Sequence, residues 1–104
     1  MKPAFRSRRA HADIEAALAY YDQEAPQMVE KFVDALENAV ARIERSPAIG
    51  SPRYAHELNL PGLRYWMLRR FPYALFYFEH AEHLSVVRAV HLRRDIPVTL
   101  QFGE

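Results

Sequence analysis

Six arginines, Arg64, Arg69, Arg70, Arg88, Arg93 and Arg94, fall between Leu60 and Arg94, with His91 beside the last of them and only Glu79 and Glu82 to oppose them. An imidazole near guanidinium groups could do acid–base chemistry on a phosphate ester. The ring moves a proton, and arginine stabilises charge developing on the phosphoryl oxygens. His91 with Arg88 and Arg64 is the set such ribonuclease-like chemistry would draw on. The planar guanidinium also suits bidentate contact with the carboxylates of a protein partner. A third reading is structural: a histidine at a strand end hydrogen-bonds within its own fold, and an arginine at the rim of a sheet reaches for solvent. In strict alternation Arg88 shares a face with Leu84, Val86 and Val90. Spacing leaves all three readings open.

Other chemistry is excluded more firmly. The chain has no cysteine, so disulfides, thiolate metal sites and cysteine nucleophiles are ruled out together, and a reducing compartment fits. There is no Walker loop, no Gly-x-Gly-x-x-Gly, no Gly-x-Ser-x-Gly and no His-Glu-x-x-His. His80 and His83 have ligand-like spacing with Glu79 and Glu82 beside them, but His80-Ala81-Glu82-His83 is a hairpin turn, where polar residues are expected anyway. No metal and no cofactor are expected. His11 and His56 are surface residues.

These groups need elements to hold them. Ala4 to Ser7 is a short apolar/polar stretch able to form a brief strand, and Ser7 can cap a helix. From Arg8 to about Glu24 the residues Ala10, Ile14, Ala17, Leu18 and Tyr21 make the stripe of an amphipathic helix. Pro26 ends that helix and suits the first turn of a second, whose apolar face is Val29, Phe32, Val33, Leu36, Val40 and Ile43. Ser46-Pro47 stops it. Gly50-Ser51-Pro52 and Leu60-Pro61-Gly62 bracket a surface loop. Leu63–Arg70, Tyr73–Glu79 and Leu84 to about Leu92 then read as three strands joined by short turns, an antiparallel meander. The predicted class is α+β: a helical hairpin packed on a small antiparallel sheet, in the order β-α-α-β-β-β. On the middle strand Tyr73, Leu75 and Tyr77 alternate with Ala74, Phe76 and Phe78. Most of that is core packing, with stacking of RNA bases a minor alternative.

At 104 residues, half of them hydrophobic, the chain has material for one core and hence one domain spanning 1–104. Net charge is only +1, which argues against a general nucleic-acid binder held by bulk electrostatics. No apolar run approaches the ~20 residues that span a bilayer, and the first residues lack a secretory signal, so no membrane association and a cytoplasmic location are expected. Ile96 to Phe102 is a short apolar tail available to pack back or dock on a partner.

The assembled motifs resemble a known family. Ser7-Arg8-Arg9-Ala10-His11-Ala12-Asp13-Ile14, then Ser46-Pro47 with Gly50, then Pro61-Gly62-Leu63-Arg64 follow the pattern of ParE toxins in the ParE/RelE toxin superfamily. The most specific match is Arg70-Phe71-Pro72-Tyr73-Ala74-Leu75-Phe76-Tyr77 followed by Leu84 to Asp95, ending His91-Leu92-Arg93-Arg94-Asp95. The resemblance implies a toxin of a type II toxin–antitoxin pair, neutralised by a ParD-like antitoxin whose C-terminal segment folds against the toxin. Arg69, Arg70, Arg88, His91, Arg93 and Arg94 would then bind antitoxin or target. ParE-like members inhibit DNA gyrase without being nucleases. RelE-like members cut mRNA on the ribosome with basic residues and often a late tyrosine, or with a His-Arg-Glu set. Here no tyrosine follows Asp95 and no catalytic glutamate is clearly placed, while the Phe-Pro-Tyr and His-Leu-Arg-Arg-Asp elements resemble the gyrase-inhibiting branch. A third alternative is a diverged, non-toxic protein that keeps only antitoxin binding.

Overall fold

The structure, a computed structural model, describes residues 1–93. The apolar tail and Arg94 lie outside them. Strand β1 (Ala4–Arg6) leads into helix α1 (Arg8–Glu24) through Ser7. The serine backbone is extended and its Oγ accepts the Ala10 N–H at 3.0 Å, which satisfies one of the orphan donors at a helix start. The same hydroxyl donates to the Val87 carbonyl at 3.0 Å, so the cap also fastens the helix to the sheet. Pro26 opens a 3₁₀ turn (Pro26–Met28) rather than the α-helix itself, and α2 (Val29–Arg45) follows. Ala10, Ile14 and Ala17 of α1 and Phe32, Leu36, Ala39 and Ile43 of α2 are buried, the inward faces of a helical hairpin.

A 3₁₀ turn (Pro47–Ile49) and a short helix α3 (Arg53–Glu57) lead to β2 (Arg64–Met67), β3 (Tyr73–Glu79) and β4 (Leu84–His91). The last three strands form the antiparallel meander. β1 joins it alongside β4 and parallel to it, pairing Ala4 with Leu84 and Arg6 with Val86, so the four-stranded sheet is mixed, in the order β1-β4-β3-β2. Pairing from outside the meander is not visible in the local sequence.

Both faces of the sheet are covered. Leu75, Tyr77, Leu84, Val86 and Ala89 pack against the helical hairpin. Ala74, Phe76 and Val90 form a second cluster with Leu63, closed by Tyr54, Ala55, Leu58 and Leu60. The segment expected to be a surface loop is therefore a cover for the second face, and α3 is its framework. Tyr73 and Tyr77 lie under the helices rather than on an open sheet, which leaves no aromatic platform on β3 for stacking bases.

Two irregularities matter for the site. The ladder between β3 and β4 shifts at Phe76/Tyr77: Phe76 pairs with Arg88 and Tyr77 with Val86, so Val87 is the extra residue of a bulge. Beyond it the alternation changes phase, which is why Leu84 and Val86 belong to the helix-side cluster and Val90 to the other. Strict alternation put all three on one face with Arg88, and the bulge breaks that pattern. The second irregularity is the early end of β2 at Met67, where an expected strand through Arg70 gives way to a turn.

The 3₁₀ turn is locked to the sheet by Tyr77. Its hydroxyl donates to the Pro47 carbonyl at 2.6 Å and accepts the Gly50 N–H at 3.0 Å. Gly50 has to be glycine because a Cβ there would run into the Tyr77 hydroxyl and come within 2.9 Å of the Tyr65 carbonyl oxygen. Burial raises the Tyr77 hydroxyl pKa above its ordinary 10.0, against the partial relief of the Gly50 N–H and Arg64. Tyr77→Phe leaves both backbone groups without their partner and should cost about 1–3 kcal/mol in urea unfolding. The hydroxyl's contribution is complete below the unfolded pKa of about 10 and is lost as pH rises through the folded value. The wild type should therefore lose stability above that pH more steeply than Tyr77→Phe.

Candidate functional site

Asp13, on the buried flank of α1, meets the bulged part of β4. Its carboxylate accepts from Arg88 Nε at 2.7 Å and Nη2 at 3.1 Å, and from the Ala89 N–H at 3.0 Å. Arg88 is 5% exposed, so this is a buried bidentate ion pair. Burial of two charges is tolerated because the guanidinium and the carboxylate match in geometry and a backbone donor takes a further lone pair. Arg88 is therefore held inside the fold. Neither a solvated rim cation nor an arginine open to a substrate describes its place.

Beside the pair, a cleft of about 380 Å³ is lined by Asp13, Ala16, Ala17, Tyr20, Tyr73, Ala89 and His91. His91 sits across the ladder from Tyr73, with its ring edge-on to the tyrosine ring at 5.1 Å between centroids. The Arg93 N–H donates to His91 Nδ1 at 3.1 Å, which makes that nitrogen an acceptor. Arg64 is elsewhere. It pairs with Tyr77, four residues from Tyr73 along β3, and donates to the Gly50 carbonyl at 2.7 Å and the Ala48 carbonyl at 3.2 Å. Four residues of strand are about 13 Å, and β2 and β4 are separated by β3 between them. His91, Arg88 and Arg64 are thus not assembled around one reacting atom.

What the structure does bring together lies at one end of the sheet, where β2 finishes, β3 begins and β4 finishes. Between β2 and β3, Leu68 and Phe71 are buried in the helix-side core, while Arg69 and Arg70 between them are exposed. Two apolar anchors hold two displayed guanidinium groups. Arg70 has φ 70°, the left-handed region, which costs a side chain of this kind on the order of 1 kcal/mol relative to glycine. The Leu92 N–H donates to the Pro72 carbonyl at 2.8 Å, which brings the end of β4 with His91 and exposed Arg93 to the same rim. His80 and His83 occupy the hairpin turn at the opposite end. Their rings stack at 4.6 Å and His80 bonds Ser85 at 2.9 Å. Among the described residues no group of three metal-ligating side chains exists.

Sequence reasoning passed over Asp13. Its signal was present: position 13 lies three after Ala10 and four before Ala17, so a helix puts its carboxylate on the buried stripe, where a charge needs a partner. The identity of that partner, 75 residues away, had no local signature.

Residues 5–97 match the family described as ParE toxin of the type II toxin-antitoxin system, parDE. Among solved structures, one described as a chromosomal ParDE TA system from P. aeruginosa contains a chain similar to this one. The TM-score is 0.72 at 21% identity, covering 88% of this chain and 97% of that chain. At that identity the likeness is one of fold. No curated protein matches the sequence. Among the described residues no helix is long and apolar enough to cross a membrane.

Removing the carboxylate should be costly. Asp13→Ala takes a carboxylate partner from a buried guanidinium and the acceptor from the Ala89 N–H, and about 3 kcal/mol of stability should go with them. Replacing both partners by apolar residues, Asp13→Leu with Arg88→Met, should restore most of that loss. Denaturant unfolding of the three proteins checks this, and equal stability of Asp13→Ala and wild type would contradict it.

Proposed function

Because the chain belongs to the ParE toxin family of type II toxin–antitoxin systems, we propose that it acts by binding DNA gyrase and blocking its cycle, and that a ParD-like antitoxin holds it inactive. The observation that supports recognition over catalysis is the sorting of the basic residues. Arg88 is committed to Asp13 and Arg64 to backbone carbonyls. Arg69, Arg70, His91 and Arg93 collect at one rim, and the three arginines there are exposed. A rim of guanidinium groups on anchored backbone selects acidic protein surface and steers it into place. Arg69, Arg70 and Arg93, with His91 beside them, are the proposed contacts. Arg94, expected to act with them, lies outside the described residues.

Purified toxin should abolish gyrase supercoiling of relaxed plasmid at a small stoichiometric excess, and antitoxin should restore it. Arg69→Glu with Arg70→Glu should weaken inhibition at least tenfold while leaving the circular dichroism spectrum and unfolding midpoint close to wild type. Undiminished supercoiling at large excess would sink the gyrase assignment. Cutting of mRNA on purified ribosomes, lost in His91→Ala, would replace it with a nuclease.

A further inference from the structure

Part of the β2 edge of the sheet is bare among the described residues. β2 is the outermost strand, and its backbone groups alternate between β3 and the outside. The Tyr65 N–H and carbonyl face outward, where they bond Ser51 at 3.0 and 2.9 Å in a single antiparallel bridge. The Leu68 N–H faces inward and donates to the Tyr73 carbonyl at 2.9 Å. Met67 lies between these and is in phase with Tyr65, so its N–H and carbonyl also point outward. The chain cannot continue the bridge that Ser51 begins, because just before it the backbone turns away through the 3₁₀ turn Pro47–Ile49. Among the described residues nothing bonds the outward groups of Met67, and the residue is 53% exposed.

That edge opens into a groove of about 530 Å³ lined by Ile49, Ser51, Tyr65 through Leu68, Arg69 and Arg70. Its floor is apolar and its far end is cationic. A neighbouring concavity shares Trp66, Met67 and Arg69 and adds Arg42 and Arg45 from α2. None of Arg42, Arg45, Arg69 and Arg70 is in an ion pair among the described residues. An unpaired sheet edge is satisfied by another strand, since a helix already uses its own backbone groups. The apolar floor takes alternate side chains of that strand, and four uncompensated arginines call for carboxylates along it.

We propose that the edge of β2 at Met67 takes an extended, acidic-apolar segment of the antitoxin as a fifth strand, with its carboxylates on Arg69 and Arg70. This rests on the antitoxin reading above and specifies how that partner is held. Its decisive variant is Met67→Pro. Proline lacks only an N–H that points away from β3, so the ladder to β3 is untouched and the edge position tolerates it. The incoming strand loses its donor. Met67→Thr keeps the donor and changes the side chain.

The probe is the cognate antitoxin, co-expressed and purified with the toxin. Affinity is read by titration, and amide hydrogen exchange is read at Met67 and Arg69. Strand addition predicts slowed exchange at the Met67 amide in the complex, at least tenfold weaker binding by Met67→Pro and near-normal binding by Met67→Thr. Binding by folded Met67→Pro within twofold of wild type overturns the added strand and leaves the antitoxin reading standing. A wild-type toxin that binds nothing overturns both. Should Met67→Pro fail to fold, exchange at Met67 in the wild-type complex decides alone: slowed exchange supports the strand and unchanged exchange refutes it.

Discussion

The grip of Asp13 on β4 organises the rest of the molecule. Ser7 donates its N–H to the Val86 carbonyl and its hydroxyl to the Val87 carbonyl, and Asp13 accepts from Arg88 and Ala89. Four consecutive residues of β4 are thus bound by Ser7 and the first two turns of α1. The bulge at Val87 makes this possible, since it turns the strand locally and lets Arg88 and the Ala89 amide reach the same carboxylate. Once α1 is held there, α2 must close over Leu75 and Tyr77, and β1 has only the free side of β4 to pair with.

That arrangement explains why arginines of one sequence segment have different roles. A guanidinium brought under α1 is desolvated and needs a fixed counter-charge, so Arg88 becomes structural. Arg64 lies beside the 3₁₀ turn and finds carbonyls that the turn leaves over. Arg69 and Arg70 are carried on a turn whose inward residues, Leu68 and Phe71, already fill the core, so their charge can only face outward. Arg70 keeps a left-handed backbone where glycine would be cheaper.

The edge of β2 follows from the same packing. The segment from Gly50 to Gly62 is drawn across the second face of the sheet to cover Phe76 and Val90, and Tyr77 pins its beginning. With its path set by those contacts, the segment can pair with β2 only at Ser51 before leaving it. An exposed strand edge invites association, and here it lies next to an apolar groove and arginines that form no ion pair among the described residues.

Much of this was readable in the residues themselves. The stripes of α1 and α2, the capping Ser7, the Pro26 break and the three late strands are local patterns with short periods, and local patterns survive folding. The family is written in the same stretch, from Arg70-Phe71-Pro72 to His91-Leu92-Arg93. What the sequence left open concerns pairs of residues distant along the chain. The parallel seat of β1, the burial of Arg88 by Asp13, the phase change at Val87 and the cover made by α3 all depend on surfaces that meet only when the domain closes. Whether an arginine is buried or displayed is decided there, because the cost of desolvating a charge is set by neighbours in space.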